Sequence, residues 1–170
     1  MSLCRVVRPC FQILKREKSL SSLSEYRDRS LYKYFIDIQT RWRDNDIYGH
    51  VNNVVYGEWI DTIVNKYLIE KCSLQPLQSS SIGFVVSSYC EYYSPTSYPS
   101  IISAGLLIKK IGKSSVDYQV GIFANNQTTK AAAVGGFTHV FVDRITHRPH
   151  PIDQQFRSKL LTIFHEFHQK

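Results

Sequence analysis

The chain has 170 residues, of which 43% are hydrophobic, 21% charged and 13% aromatic. A domain of this length buries roughly two-thirds of the surface that its unfolded chain exposes, so it needs neither disulfides nor a metal ion to fold. The composition excludes a disordered chain. The four cysteines are Cys4, Cys10, Cys72 and Cys90. They show neither CxxC spacing nor a His at zinc-finger distance, which argues against a metal site or a disulfide framework and for a reducing, intracellular compartment.

The net charge of +7 is concentrated at the N-terminus, where residues 1–24 carry five basic side chains and one acid. A nucleic-acid-binding surface would spread its basic residues over the folded part, so we expect no nucleic-acid partner. The same segment is rich in Ser and poor in acids, which is typical of an organelle transit peptide or of a disordered basic tail. We therefore divide the chain into a basic leader, residues 1–30, and one domain, residues 31–170. A mitochondrial location is favoured over a cytoplasmic one. No apolar run is long enough to span a bilayer.

The first predicted element is a strand, because apolar and polar residues alternate from Ile36 to Trp42. A polar loop over residues 43–50 follows, and then a helix over residues 53–71 with Asn52 or Asn53 as its N-cap. Six apolar residues recur at helical spacing and predict one broad buried face: Tyr56, Ile60, Ile63, Val64, Tyr67 and Leu68.

Four further strands follow the helix. They are predicted at Ile82–Tyr93, Ile101–Ile111, Ser115–Phe123 and Lys130–Val142, with a tight hairpin turn at residues 112–114. A last helix begins near Pro149 and Pro151 and carries an apolar stripe, namely Ile152, Phe156, Leu160, Ile163, Phe164 and Phe167. The element order predicts an α+β fold in which an antiparallel sheet packs against a helix.

The loop before the long helix carries the chemistry. Residues 41–56 place two carboxylates, a Gly and a His just ahead of a helix N-terminus, whose first N–H groups have no partner within the helix. Such an end can hold a carbonyl oxygen that gains negative charge, while a carboxylate attacks the carbonyl carbon or takes a proton from water. Gly49 would let the backbone approach a substrate closely. The plain alternative is an Asp-rich loop that only caps the helix.

The run D-x-D-x-x-G-H-V-N-N-x-x-Y that begins at Asp44 resembles the signature of the 4-hydroxybenzoyl-CoA thioesterase-like branch of the hot-dog superfamily. The turn at residues 111–115 and the strand ending at residues 140–152 fit the same branch, and the similarity covers residues 33–153. The resemblance implies a five-stranded antiparallel sheet wrapped around a long central helix, with a C-terminal helix added. It also implies homodimers or homotetramers with active sites at the dimer interface.

The resemblance further implies an acyl-CoA thioesterase that needs no cofactor and no metal, with Asp46 as nucleophile or general base. The backbone N–H of Asn53 is expected to polarise the thioester carbonyl, with His50 in a supporting role. Gly49, Asn52 and Tyr56 are the candidate substrate-binding residues. The acyl group is open, and so is the choice between coenzyme A and acyl carrier protein as its carrier.

Two neighbouring carboxylates receive other roles. Asp44 is expected to brace or tune the loop. Glu58 shares the polar helix face with Asp61 and Asn65, so we expect it to be solvated or at an interface. Lys109, Lys110, Lys113 and Arg144 are candidates to meet the phosphates of coenzyme A, although exposed lysines usually serve solubility alone.

Two alternative functions remain. The first is a hot-dog protein without catalysis that binds acyl-CoA or another protein. The second is a hot-dog hydratase, which uses an Asp and a His. Only three residues separate Asp46 from His50, which does not fit the spacing of those hydratases.

Overall fold

The computed structural model describes residues 23–166. The predictions for residues 1–22, which include most of the basic leader, and for Phe167 lie outside the described residues. Among residues 23–166, no helix is long and apolar enough to cross a membrane.

Five antiparallel strands form a single sheet in the order β1-β3-β4-β5-β2. Their bounds are Tyr34–Gln39 for β1, Ser81–Tyr92 for β2, Ile101–Ile111 for β3, Ser115–Phe123 for β4 and Ala133–Asp143 for β5. The predicted hairpin turn joins β3 to β4, and the N–H of Gly112 donates to the carbonyl of Ser115 at 2.8 Å. Strands β1 and β2 are the two edges of the sheet. The predicted α+β hot-dog class is thereby confirmed.

The central helix α1 spans Asn53–Glu70 and packs on one face of the sheet. All six residues of its predicted apolar face are buried, together with Val55 and Trp59. Alternate strand residues meet them, such as Leu106 and Ile108 of β3, because successive side chains of a strand point to opposite faces. This layer between helix and sheet is the main core.

The opposite face of the sheet is covered by residues 23–31. Leu23, Tyr26 and Leu31 pack against a second apolar cluster, which contains Tyr32 and Phe123. The guanidinium of Arg29 lies 4.3 Å from the centroid of the Phe35 ring, and Arg29 N donates to the carbonyl of Thr129 at 2.9 Å. Part of the segment predicted as a leader therefore contacts the domain; the domain boundary itself stays a prediction.

Several predicted element limits are wrong. Strand β1 ends at Gln39, and Trp42 begins a short 3-10 helix, Trp42–Asp44, instead of ending the strand. Strand β5 begins at Ala133 instead of Lys130, because the N–H of Ala131 donates to the carbonyl of Arg27 instead of to a neighbouring strand. The C-terminal helix α2 spans Gln154–Leu161 and ends before Ile163 and Phe164. The chain there turns to β3, where Ile108 N donates to Ile163 O at 3.1 Å.

Candidate active site

The loop between β1 and α1 folds back on itself around Asp46. The N–H of Asp46 donates to the carbonyl of His50 at 2.8 Å, and the N–H of Gly49 donates to the carbonyl of Asp46 at 3.2 Å. One carboxylate oxygen, Oδ1, accepts from the N–H of Tyr48 at 2.8 Å and from that of His50 at 3.4 Å. Within residues 23–166, Oδ2 has no hydrogen-bond donor. Half of the carboxylate is thus fixed and the other half is available.

Gly49 makes this turn feasible. Its φ of +79° lies in the left-handed region, which a residue with a Cβ rarely adopts. A Cβ at this position would meet no atom within 4 Å, so the backbone angle and not a close contact requires glycine. The expected close approach of backbone to substrate at Gly49 stays a prediction.

The first turn of α1 meets the same loop. Asn52 is the N-cap, and its side-chain oxygen accepts from the N–H of Val54 at 3.2 Å. Asn53 is the first helical residue, and no acceptor for its N–H is found in the described part of the chain. An unpaired N–H at a helix start carries a partial positive charge and can donate to an oxygen of a ligand.

Four of the predicted site residues line one open cavity of about 410 Å³ between the loop, α1 and the end of β2. These are Asp46, His50, Asn53 and Tyr56. Gly49 and Asn52 are not among the lining residues, since they shape the turn and the cap. The roles of all six as catalytic or substrate-binding residues stay predictions.

Asp44 is buried and braces the loop, as expected. Its carboxylate accepts from the N–H and the Nε of Arg41, at 2.7 and 2.8 Å. The same guanidinium donates to Glu58 on α1 at 2.7 Å, and this hydrogen bond lowers the pKa of the Glu58 carboxyl. Arg41 therefore ties the loop to the first turns of the helix.

Sequence reasoning missed the segment that follows β2. The carbonyl of Thr96 accepts from the N–H of Val51 at 2.8 Å, and its hydroxyl shares a buried hydrogen bond of 2.8 Å with Tyr56. The hydroxyl of Tyr92 donates to the carbonyl of Asn53 at 3.1 Å. The strand-ending pair at residues 94–95 marks the place in the sequence, but no local pattern shows that it returns to the loop.

Other candidates lie away from this cavity. Burial raises the pKa of the Cys72 thiol to about 12 and that of the Cys90 thiol above its usual value, so neither is a reactive nucleophile. Lys109 lies between the rings of Tyr26 and Tyr89 on the outer face of the sheet. Arg144 donates to backbone carbonyls of the loop before β2. Among residues 23–166, no three His, Cys, Asp or Glu side chains form a group that could hold a metal ion.

Comparison with known proteins places the chain in a family. The sequence profile of the thioesterase-like superfamily matches residues 40–160. The PA5185 protein from Pseudomonas aeruginosa is 45% identical, and the match covers 81% of this chain and 96% of that protein with a TM-score of 0.78. No curated protein matches the chain.

Two more distant structures share the fold. A thioesterase from Thermus thermophilus, complexed with coenzyme A and zinc, is 22% identical with a TM-score of 0.66, over 78% of this chain and 94% of that one. A 1,4-dihydroxy-2-naphthoyl-CoA thioesterase from Synechocystis is 13% identical with a TM-score of 0.67, over 75% and 95%. The predicted enzyme class, a thioester hydrolase, agrees with these findings. Since the superfamily profile spans most of the domain, the chain belongs to the thioesterase-like superfamily.

Proposed function

We propose that the protein hydrolyses acyl-CoA thioesters at the cavity that Asp46 shares with the start of α1. The observation that carries this proposal is the pairing of a half-free carboxylate with an unpaired helix N–H, that of Asn53, on one cavity wall. The thioesterases from Thermus thermophilus and Synechocystis, which share the fold, support coenzyme A as the carrier.

Thioester hydrolysis needs few catalytic groups, and the cavity offers one carboxylate, one backbone N–H and one imidazole. A thioester carbonyl is weakly resonance-stabilised, and a thiolate leaves readily. The Asn53 N–H would stabilise the oxygen as it gains charge. Oδ2 of Asp46 would take a proton from the water that attacks the carbonyl carbon, or would itself attack and form a mixed anhydride that water then hydrolyses. In both routes the bond from carbon to sulfur breaks and coenzyme A leaves as the thiolate. His50, exposed on the same wall, would orient the carboxylate or the water.

We propose that the working unit is a homodimer formed through β2. This edge strand has 12 residues and exposes three consecutive apolar side chains, Phe84, Val85 and Val86, which are 43%, 51% and 58% exposed. A long apolar edge calls for a cover, and a second copy of the strand would supply both backbone hydrogen bonds and apolar contacts. Val86→Lys should yield monomers in light scattering and lower the activity, whereas Leu161→Lys, the same kind of change at a 51% exposed residue of α2, should do neither.

Thiol release from a panel of short-, medium- and long-chain and aryl-CoA thioesters tests the activity. Asp46→Asn should lose about two or more orders of magnitude, since it keeps the shape but neither attacks nor accepts a proton in the same way. Asp37→Asn, an exposed carboxylate on β1, is the matched control and should keep full activity. Full activity in Asp46→Asn would exclude this carboxylate as the catalyst.

A binding protein without turnover is the second candidate. It is favoured if the wild type binds acyl-CoA by calorimetry but releases no thiol from any member of the panel. Mitochondrial import also stays a proposal, which rests on the basic, Ser-rich composition of residues 1–24. Fusion of residues 1–30 to a fluorescent protein tests it.

A further inference from the structure

The seam between α1 and β2 continues beyond the candidate active site. A second cavity, of about 390 Å³, shares Asn53 and Tyr92 with the first and runs along Gly57 and Asp61 of the helix. A third, of about 130 Å³, begins one helical turn further, at Asn65. Helix and strand run antiparallel here, so the three cavities follow one another from the helix start toward its end.

The third cavity, which we call the distal cavity, is lined by nine residues: Asn65, Leu68, Leu74, Pro76, Ser81, Ile82, Gly83, His139 and Phe141. His139 is 5% exposed, and its Nδ1 has no hydrogen-bond partner in the described part of the chain. Its neighbours on the same face of β5 are Phe137 and Phe141, whose ring centroids lie 4.7 and 5.8 Å from that of His139. A polar atom thus lies unpaired among apolar rings.

A buried polar atom without a partner is costly, and native proteins nearly always satisfy such groups with protein atoms, water or a ligand. In neutral imidazole one ring nitrogen donates and the other accepts. Burial lowers the pKa of His139 to about 4, so the ring is neutral near pH 7. None of the other lining residues carries a charge, so a carboxylate in this cavity would find no cation.

We propose that the distal cavity binds a hydroxyl group near the far end of the acyl chain, and that His139 selects such hydroxylated acyl groups. This inference rests on the proposed function. A hydroxyl can donate and accept, so it pairs with Nδ1 whichever ring nitrogen holds the proton. The hydroxyl of Ser81, which also lines the cavity, offers a second polar partner.

The distance along α1 from the candidate active site to the distal cavity sets the length of the acyl chain. Asn65 lies twelve positions after Asn53, and at about 1.5 Å per residue the helix covers roughly 18 Å between them. An extended chain advances roughly 1.2 Å per bond, which follows from about 3.6 Å per three-bond residue. The hydroxyl would therefore lie about 15 bonds from the thioester carbonyl, in an acyl group of about 16 carbons.

Equilibrium binding to the Asp46→Asn variant tests the inference apart from hydrolysis. Calorimetry compares an acyl-CoA of about 16 carbons with the same ligand bearing a terminal hydroxyl. The hydroxylated ligand should bind about tenfold more tightly, because it satisfies an otherwise unpaired group. Adding His139→Phe should remove this preference, whereas adding Phe141→Leu, a change in an apolar wall of the same cavity, should alter the affinity for both ligands alike.

A second variant guards against misfolding of His139→Phe. A Cβ at Gly83 would lie 2.8 Å from His139 Nδ1, too close for both to keep their places, so Gly83→Ala should displace the imidazole and also reduce the preference. Equal affinities for the two ligands in the Asp46→Asn variant would overturn the role of His139 and leave the thioesterase proposal standing. Failure to bind either ligand would overturn the proposed site in the distal cavity, whereas thiol release from the panel of thioesters judges the thioesterase proposal separately.

Discussion

The buried hydrogen bond between Tyr56 and Thr96 holds the candidate active-site loop against the segment after β2. Tyr56 is 2% exposed and Thr96 is 6% exposed, and their hydroxyl oxygens are 2.8 Å apart. Tyr56→Phe removes one hydroxyl and leaves the other buried without a partner. Thr96→Val does the reverse. The double variant removes both polar groups while it keeps nearly the same shape.

The expected loss of stability differs between the single variants and the double variant. A buried hydroxyl left without its partner costs about 1–3 kcal/mol, whereas removal of both partners is nearly neutral. Each single variant should therefore lower the free energy of unfolding by about 1.5 kcal/mol. In a domain of this size that corresponds to a fall in Tm of about 3–6 °C. The double variant should be nearly neutral, so its loss should be about 2–3 kcal/mol smaller than the sum of the two single losses.

Urea unfolding followed by circular dichroism measures all four proteins of this cycle. Tyr92→Phe is the matched control: its hydroxyl donates to Asn53 O from a residue that is 43% exposed, so it should cost under about 0.5 kcal/mol. Additive losses in the cycle, or single losses no larger than that of Tyr92→Phe, would refute the idea that this hydrogen bond holds the loop.

Three further predictions concern other parts of the molecule. Gly49→Ala should lower the free energy of unfolding by about 1–2 kcal/mol, because φ at this residue is +79°. It should also reduce thiol release, because it displaces the N–H groups that donate to Asp46. Urea unfolding measures the first effect and the panel of thioesters the second. Burial lowers the pKa of His139 from 6.5 to about 4, so the free energy of unfolding should fall by up to about 3 kcal/mol as pH falls from about 6.5 toward 4. His139→Phe should lack this part of the pH dependence, and urea unfolding at pH 7 and at pH 4.5 measures it. Deletion of residues 1–31 should lower Tm by several degrees relative to deletion of residues 1–22, since residues 23–31 pack against the outer apolar cluster.

Much of the fold could be predicted because its signals are local. The hairpin turn at residues 112–114 marked where β3 ends and β4 begins, and helical spacing predicted the buried face of α1. The same periodicity misled at the C-terminus, where Ile163 and Phe164 continue the apolar stripe of α2. Apolar residues at that spacing serve a helical turn and a short pairing with Ile108 equally well. Only the position of β3 decides between the two, and a single sequence does not contain it.

In the candidate site, too, contacts between residues close in sequence could be predicted and a long-range contact could not. Asp46, His50, Asn53 and Tyr56 are close in sequence, so a loop before a helix brings them to one cavity wall without any knowledge of the sheet. Thr96 lies 40 residues beyond Tyr56 and reaches it only through the register of β2 and the turn that follows. Contacts of that range depend on the whole sheet, and for this reason the loop's second support escaped sequence reasoning.

At position 139 the apolar core and a hydroxylated ligand would favour different residues. Phe137 and Phe141 occupy the neighbouring positions on the same face of β5, so an apolar residue at 139 would suit the core better than an unpaired imidazole. If a ligand hydroxyl is the partner, the unliganded protein gains nothing from the imidazole, and His139→Phe should be at least as stable as the wild type at pH 7. A loss of stability above about 1 kcal/mol would instead indicate a buried water that holds Nδ1 in the resting protein. Read together, the unfolding free energy at pH 7 and the preference for the hydroxylated ligand decide whether this position serves the core or the substrate.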